Sequence, residues 1–344
     1  MFRFVRWTTA VLALSAATGL QAAQRDGIDV QLSTPTPVLR GDVDVVVAVT
    51  VTNTARHPVT LVRWQLPSDE LEGALFRITR DDQPVRYLGP VVKRAQPDAS
   101  DHVKLEPGAT LSYQVELTSA YDLSQSGRYA IQYLGRGQHG NAATLSSAPL
   151  YLWLEGRSGK AATAPAAPVG SAASIGYTGN CSATQQSTLQ TAVGAATNYA
   201  TSSSSYLSRT PAATQRYVKW FGAYSQNGWN TAKAHFAAIS DAFVNKPLTL
   251  DCKCKKRNVY AYVYPTEPYK IYLCGAFWAA PMTGTDSKGG TLIHEMSHFD
   301  VVAGTEDWAY GQSAAAALAV SDPAKALDNA DSHEYFAENT PPLP

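Results

Sequence analysis

Residues 156–174 divide the chain. From Gly156 to Ser174 the sequence is dominated by Ala, Gly, Pro and Ser, and the run Ala161 to Pro168 has no hydrophobic period. Such a stretch has little apolar surface to bury and reads as an exposed linker open to proteolysis. The sequence on either side differs in texture. A length of 344 residues also suits two domains better than one.

Residues 23–155 read as short strands and turns. Val43 to Val51 is a β-branched run without a helical period. Ala74 to Thr79 and Val85 to Leu88 flank a turn at 80–84. Val103 to Leu105 and Thr110 to Leu117 flank Glu106-Pro107-Gly108, and Arg128 to Leu134 is a further strand. This spacing predicts an all-β, immunoglobulin-like sandwich. No ligand motif stands out there, and His57, His102 and His139 are scattered as ordinary surface residues are. Residues 175–344 turn helical, with helices expected at Thr188 to Leu207, Ala212 to Trp220, Thr231 to Phe243 and Ala314 to Val320. Asp322-Pro323 offers an N-cap and a first-turn proline for one more.

The N-terminus sets the compartment. Arg3 and Arg6 precede a short apolar run, Thr8 to Leu20, and small residues follow at Ala22 and Ala23. This is the layout of a secretory signal peptide, expected over residues 1–22. A secreted, oxidising setting makes disulfides the expected state of the cysteines. All four, Cys181, Cys252, Cys254 and Cys274, lie in the second half. Bridging Cys252 to Cys254 would be strained, which leaves two connectivities. We favour Cys181–Cys252 with Cys254–Cys274, the latter closing a short loop that contributes roughly 3 kcal/mol. A thiolate zinc site lacks the paired C-x-x-C spacing it would need. The 28 basic and 28 acidic residues cancel, which argues against nucleic-acid or anionic-membrane partners.

One segment carries chemistry: Gly289-Gly290-Thr291-Leu292-Ile293-His294-Glu295-Met296-Ser297-His298-Phe299. On a helix, His294 and His298 share a face and can grip one metal ion, with Glu295 beside its bound water. Leu292, Ile293, Met296 and Phe299 supply the apolar side. Zinc needs a third protein ligand and an open position. The version of this motif with a third histidine six residues on fails, because Gly304 stands there. Asp307, nine residues after His298, can return to the metal once the glycine turns the chain; Glu334 is the competing ligand.

H-E-x-x-H followed by Gly304-Thr305-Glu306-Asp307-Trp308-Ala309-Tyr310-Gly311 resembles the aspzincin metallopeptidases, the deuterolysin and peptidyl-Lys metalloendopeptidase family. The resemblance covers about residues 175–344. It implies a mainly helical α+β zincin-like domain with a small sheet. It also implies one zinc ion on His294, His298 and Asp307, Glu295 as general base and Tyr310 as a donor to the developing oxyanion. The β-rich first half looks like the propeptide of secreted bacterial members, acting as an intramolecular inhibitor. Asp331 and Glu334 stand three apart and share a helix face. They look like the acidic pair that receives lysine on the C-terminal side of the cut bond. Deuterolysin-like cleavage without lysine preference is the alternative within the class. A secreted binding protein with a structural zinc site is the alternative outside it.

Lysine usage fits the first reading. Residues 1–170 hold 13 Arg but only Lys93, Lys104 and Lys160, so a lysine-directed enzyme would spare this region. Lys160, in the linker, is expected either to mark a self-processing site after Gly159 or to occupy the acidic pocket. The chain is thus expected to be a secreted, monomeric zymogen acting on protein or peptide substrates. A toxin role would be analogy alone.

Overall fold

The computed structural model describes residues 27–68, 71–95, 97–135, 145–159 and 174–344. The expected signal peptide, His139, Lys160 and most of the linker lie outside the described residues.

The first half holds twelve of the described strands: β1 (Ile28–Ser33), β2 (Val38–Arg40), β3 (Val46–Asn53), β4 (Val59–Val62), β5 (Phe76–Arg80), β6 (Gln83–Pro84), β7 (Val91–Arg94), β8 (His102–Leu105), β9 (Thr110–Glu116), β10 (Gly127–Gly135), β11 (Leu145–Ser146) and β12 (Leu150–Glu155). Eleven of them pair among themselves, in the orders β1-β3-β9 and β2-β12-β10-β5-β6, with β11 on β10 and a separate β4-β8 pair. Side chains alternate in and out along β3 and β10, as the period of two demands. Val47, Val49 and Val51 of one sheet join Ile78, Tyr129, Ile131 and Tyr133 of the other in a single core.

Two expected turns take different forms. Asp81 and Asp82 both have positive φ, 48° and 66°, the backbone of a two-residue primed turn. The turn is therefore tighter than 80–84. The second strand ends at Pro84, which has no N–H to extend a ladder. Around Glu106-Pro107-Gly108, β8 pairs with β4 and β9 with β3. That turn links separate sheets instead of closing one hairpin.

The second half comprises β13 (Ile175–Thr178), α1 (Ala183–Leu207), α2 (Gln215–Phe221), α3 (Gln226–Asn245), β14 (Leu248–Asp251), β15 (Val259–Val263), β16 (Lys270–Leu273), α4 (Gly275–Ala279), α5 (Lys288–His298), α6 (Gln312–Ser321), α7 (Pro323–Leu327) and α8 (Ala330–Glu338). Hydroxyl or carboxylate caps start most of the longer helices: Ser182 caps α1, Thr214 α2, Ser225 α3 and Ser287 α5. Asp322 caps α7 ahead of Pro323. Disulfides join Cys181 to Cys252 and Cys254 to Cys274, tying the entries of α1 and α4 to the segment after β14. The helices and sheet enclose a second core that includes Leu292, Ile293, Met296 and Phe299 of α5.

The sheet order is β13-β14-β16-β15-β7. Its last strand comes from the first half of the chain. β7 leaves the β module and adds itself, antiparallel, to the edge of the other module's sheet. The molecule is thus mixed α+β, with one strand exchanged between its halves. No described helix is long and apolar enough to cross a membrane.

Candidate active site

Helix α5 is buried along its whole length. Gly289 and Gly290 let it pack that closely. A Cβ on Gly290 would lie 2.0 Å from Glu338 Oε1 and 3.0 Å from Glu334 Oε1. A Cβ on Gly289 would press on Ala195 and Tyr199 of α1. These glycines bring α8 and its carboxylates against the motif helix.

After α5 the chain turns through Gly304, whose φ is +60°, a conformation that suits glycine. The returning strand fixes one histidine. His298 Nδ1 donates to the Thr305 carbonyl at 2.7 Å, which leaves Nε2 free as a lone pair. Asp307 follows, and its Oδ1 lies 3.2 Å from His294 Nε2 and 3.4 Å from His298 Nε2. Asn329 holds this loop in place, its Oδ1 accepting from the amides of Trp308 and Ala309 at 2.9 and 3.0 Å.

His294 Nε2, His298 Nε2, Asp307 Oδ1 and both Glu295 oxygens are buried without a hydrogen-bond partner. Buried polar atoms are normally satisfied. The two histidines and Asp307 offer ligand atoms within 4.8 Å of one another, and a His/His/carboxylate set with a neighbouring carboxylate fits a catalytic zinc ion. Burial lifts the Glu295 carboxyl to about 7, against the pull of the two histidines. The Tyr310 hydroxyl is buried 2.5 Å from Asp307 Oδ2.

Beyond His294 lies an acidic pocket. His294 Nδ1 is 2.8 Å from Asp331 Oδ1 and 3.5 Å from Glu334 Oε2, so Glu334 stands on the far side of the ring from Asp307. Lys93 of β7 fills this pocket. Its ammonium is 2.6 Å from Glu334, 3.2 Å from Asp331 and 3.8 Å from Asp286, and only 1% of its side chain is exposed. The rings of Tyr260 and Tyr335 flank it at 5.2 and 5.9 Å. Burial alone would depress the lysine pKa, but the three carboxylates hold it well above the ordinary value. Asp331 too is buried, yet Lys93 and His294 keep its carboxyl ionised down to about 2.

One peptide unit before Lys93, the Val92 carbonyl lies 2.6 Å from the Tyr310 hydroxyl. That hydroxyl has one proton to share between Val92 and Asp307. The structure thus gathers His294, Glu295, His298, Asp307, Tyr310, Asp331 and Glu334 around one cleft. The expectation that Lys160 fills the pocket is corrected: Lys93 fills it, because β7 adds to the sheet edge beside the pocket.

The aspzincin family model, described as lysine-specific metallo-endopeptidase, matches residues 206–338. An extracellular protease of Aeromonas hydrophila is 49% identical over 87% of this chain and 89% of its own. A peptidyl-Lys metalloendopeptidase of Grifola frondosa is 34% identical over 97% of this chain and 99% of its own. The chain belongs to the aspzincin family. It is a zinc metalloendopeptidase, and among the described residues two groups could hold a metal ion, His294/His298/Asp307 and His294/Asp331/Glu334, of which the second is occupied by the Lys93 ammonium. A solved zinc peptidase from Grifola frondosa aligns with 48% of this aspzincin and all of its own chain, at 47% identity and a TM-score of 0.45.

Sequence reasoning gave no role to Lys93, Asp286 or Asn329. The one available signal for Lys93 was its rarity, as one of three lysines in residues 1–170. Nothing local marked Asp286, which reaches the pocket through a left-handed backbone turn with φ of 51°.

Proposed function

We propose that this aspzincin is a secreted zymogen that cuts peptide bonds on the N-terminal side of lysine. The observation that carries the reading is Lys93, whose ammonium rests on Asp331 and Glu334 while the carbonyl before it meets Tyr310. A substrate lysine placed the same way would bring its scissile carbonyl beside His294, His298 and Asp307. Asp331 and Glu334 select a compact cation, and Asp286 adds field from the rim. Glu295 takes the proton of the attacking water and passes it to the leaving amine. Tyr310 donates to the oxygen that gains charge. His294, His298 and Asp307 would hold the zinc ion, which when bound would supply Lewis acidity and lower the pKa of a water there.

The two-sheet β module, residues 23–155, is read as the propeptide. With β7 in the cleft, no substrate can enter. Secretion is supported by the charged and apolar leader, by both disulfides and by the extracellular relative.

The test is a cleavage map. The processed protein is given denatured substrate proteins with and without a zinc chelator, and new N-termini are read by mass spectrometry. Chelator-sensitive cuts that expose N-terminal lysine are expected. Chelator-sensitive cuts without lysine bias would discard the pocket assignment and leave the enzyme class intact.

A further inference from the structure

We propose that Val92–Lys93 is a self-cleavage site whose two ends stay clamped in the cleft after the cut. The inference rests on the lysine-directed reading above. Among the described lysines of the first half, Lys93 is the one whose preceding carbonyl accepts from Tyr310, the hydroxyl that also meets Asp307. The bond is also kept extended, because β7 is laddered on both sides of it. Val91 pairs with Val263 and Val92 with Tyr262 upstream; Lys93 pairs with Ala261 and Arg94 with Val259 downstream. The side chain in the acidic pocket, the carbonyl on Tyr310 and the extended backbone are thus all supplied by the chain itself.

Cleavage consumes one water. Its oxygen adds to the Val92 carbonyl carbon, the bond to the Lys93 nitrogen breaks, and that nitrogen takes a proton through Glu295. The products are a Val92 carboxylate and a Lys93 α-amine.

Release does not follow from the cut. Upstream of it, Leu71, Leu75, Phe76 and Ile78 sit in the β-module core. Downstream, Leu105, Val115, Tyr129 and Ile131 sit in the same core. Arg94 and Glu72 form an ion pair of 2.6 Å across the cut, and Lys256 of the peptidase module also binds Glu72. The Ala95 amide donates to the Asn258 carbonyl at 2.9 Å. A nicked protein therefore remains masked until the β module itself is removed.

The experiment uses the full chain, prepared without metal and then given zinc. Denaturing mass spectrometry should show a fragment beginning at Lys93, formed at a rate independent of protein concentration. Native size exclusion should show one species of unchanged size. Glu295→Gln should form no fragment, and Lys93→Arg, which keeps the charge, should form it far more slowly. A readout independent of activity uses the metal-free Glu295→Gln chain. Amine labelling should spare Lys93 and modify Lys104, whose side chain is 63% exposed.

Equal labelling of the two lysines would overturn the proposal. So would an intact Val92–Lys93 bond while the same preparation, freed of its β module, cuts peptides before lysine. That second outcome would leave the lysine reading standing. Separation of the fragments on native size exclusion would overturn the clamp. A freed enzyme with no lysine preference would remove the reading beneath the proposal and the proposal with it.

Discussion

Two buried electronegative sites flank His294, and they differ in where their cation comes from. On the Nε2 side, His294 Nε2, His298 Nε2 and Asp307 Oδ1 are buried and, among the described residues, have no hydrogen-bond partner and no lysine or arginine beside them. On the Nδ1 side, Asp331 and Glu334 are neutralised by Lys93. The first site is built for an ion that the chain does not carry. On the proposed reading the second receives a side chain that a substrate protein supplies, and in this structure the chain's own Lys93 fills it. Asp331 and Glu334 both touch the two sites, lying 2.8 and 3.5 Å from His294 Nδ1 and 3.2 and 2.6 Å from the lysine ammonium. Carboxylates behind a metal-binding histidine hold its ring and raise its basicity, so on the proposed reading lysine recognition and metal binding share Asp331 and Glu334.

Removing the metal should have the largest effect on this pair of sites. Chelation of the mature enzyme should abolish peptide hydrolysis, and zinc should restore it; a fluorogenic lysyl peptide reports both. Residual activity in fully chelated protein would break the contrast between the sites.

Next in size is Glu295→Gln. The change removes the base but none of the three candidate ligands. We expect kcat to fall by about 10³-fold with zinc affinity unchanged, measured by steady-state kinetics and by competition with a chromogenic chelator.

The acidic pair sharpens the comparison. Removing one partner of a buried ion pair costs about 3–5 kcal/mol. Either Glu334→Gln or Asp331→Asn should therefore lower kcat/KM for lysyl substrates by about 10²–10³-fold. Asp331→Asn should also weaken zinc binding by about 10–100-fold, and Glu334→Gln, whose carboxylate lies farther from His294 Nδ1, should weaken it less. Unchanged zinc affinity in both variants would show that the pair serves the lysine site alone.

The smallest expected effect is that of alkaline pH on the hold of β7. The folded protein raises the Lys93 pKa above its ordinary value of 10.5. The stabilisation this brings is complete below the ordinary value and is lost only as pH rises through the raised one. Between about pH 7 and pH 10 the metal-free full chain should keep the same protection of Lys93 against proteolysis.

Parts of the molecule were legible from residues alone. H-E-x-x-H on an amphipathic helix and the Gly304 turn follow from helix period and backbone sterics, which are local. So do the Asp322-Pro323 start and the two-halved texture. The strands around 106–108 were found but their partners were not, and the hairpin near 80–84 returns along Gln83–Pro84 rather than along Val85 to Leu88. Pairing depends on which sheet each strand meets, and a turn signal says nothing about that. The Gly289-Gly290 pair was visible as sequence, yet its purpose, admitting the α8 carboxylates, needs two helices in contact.

Residue types and spacing by themselves determined the enzyme class, a zinc metalloendopeptidase, and marked the two imidazoles, the three carboxylates and the glutamate that the fold brings together. Only the tertiary structure decided what fills the acidic pair. Val91–Arg94 is four residues with no motif, and its meaning comes from an edge strand more than 160 positions away in sequence. An open sheet edge accepts any extended backbone. Which strand lies there, and hence which lysine enters the pocket, is set by how the two cores pack.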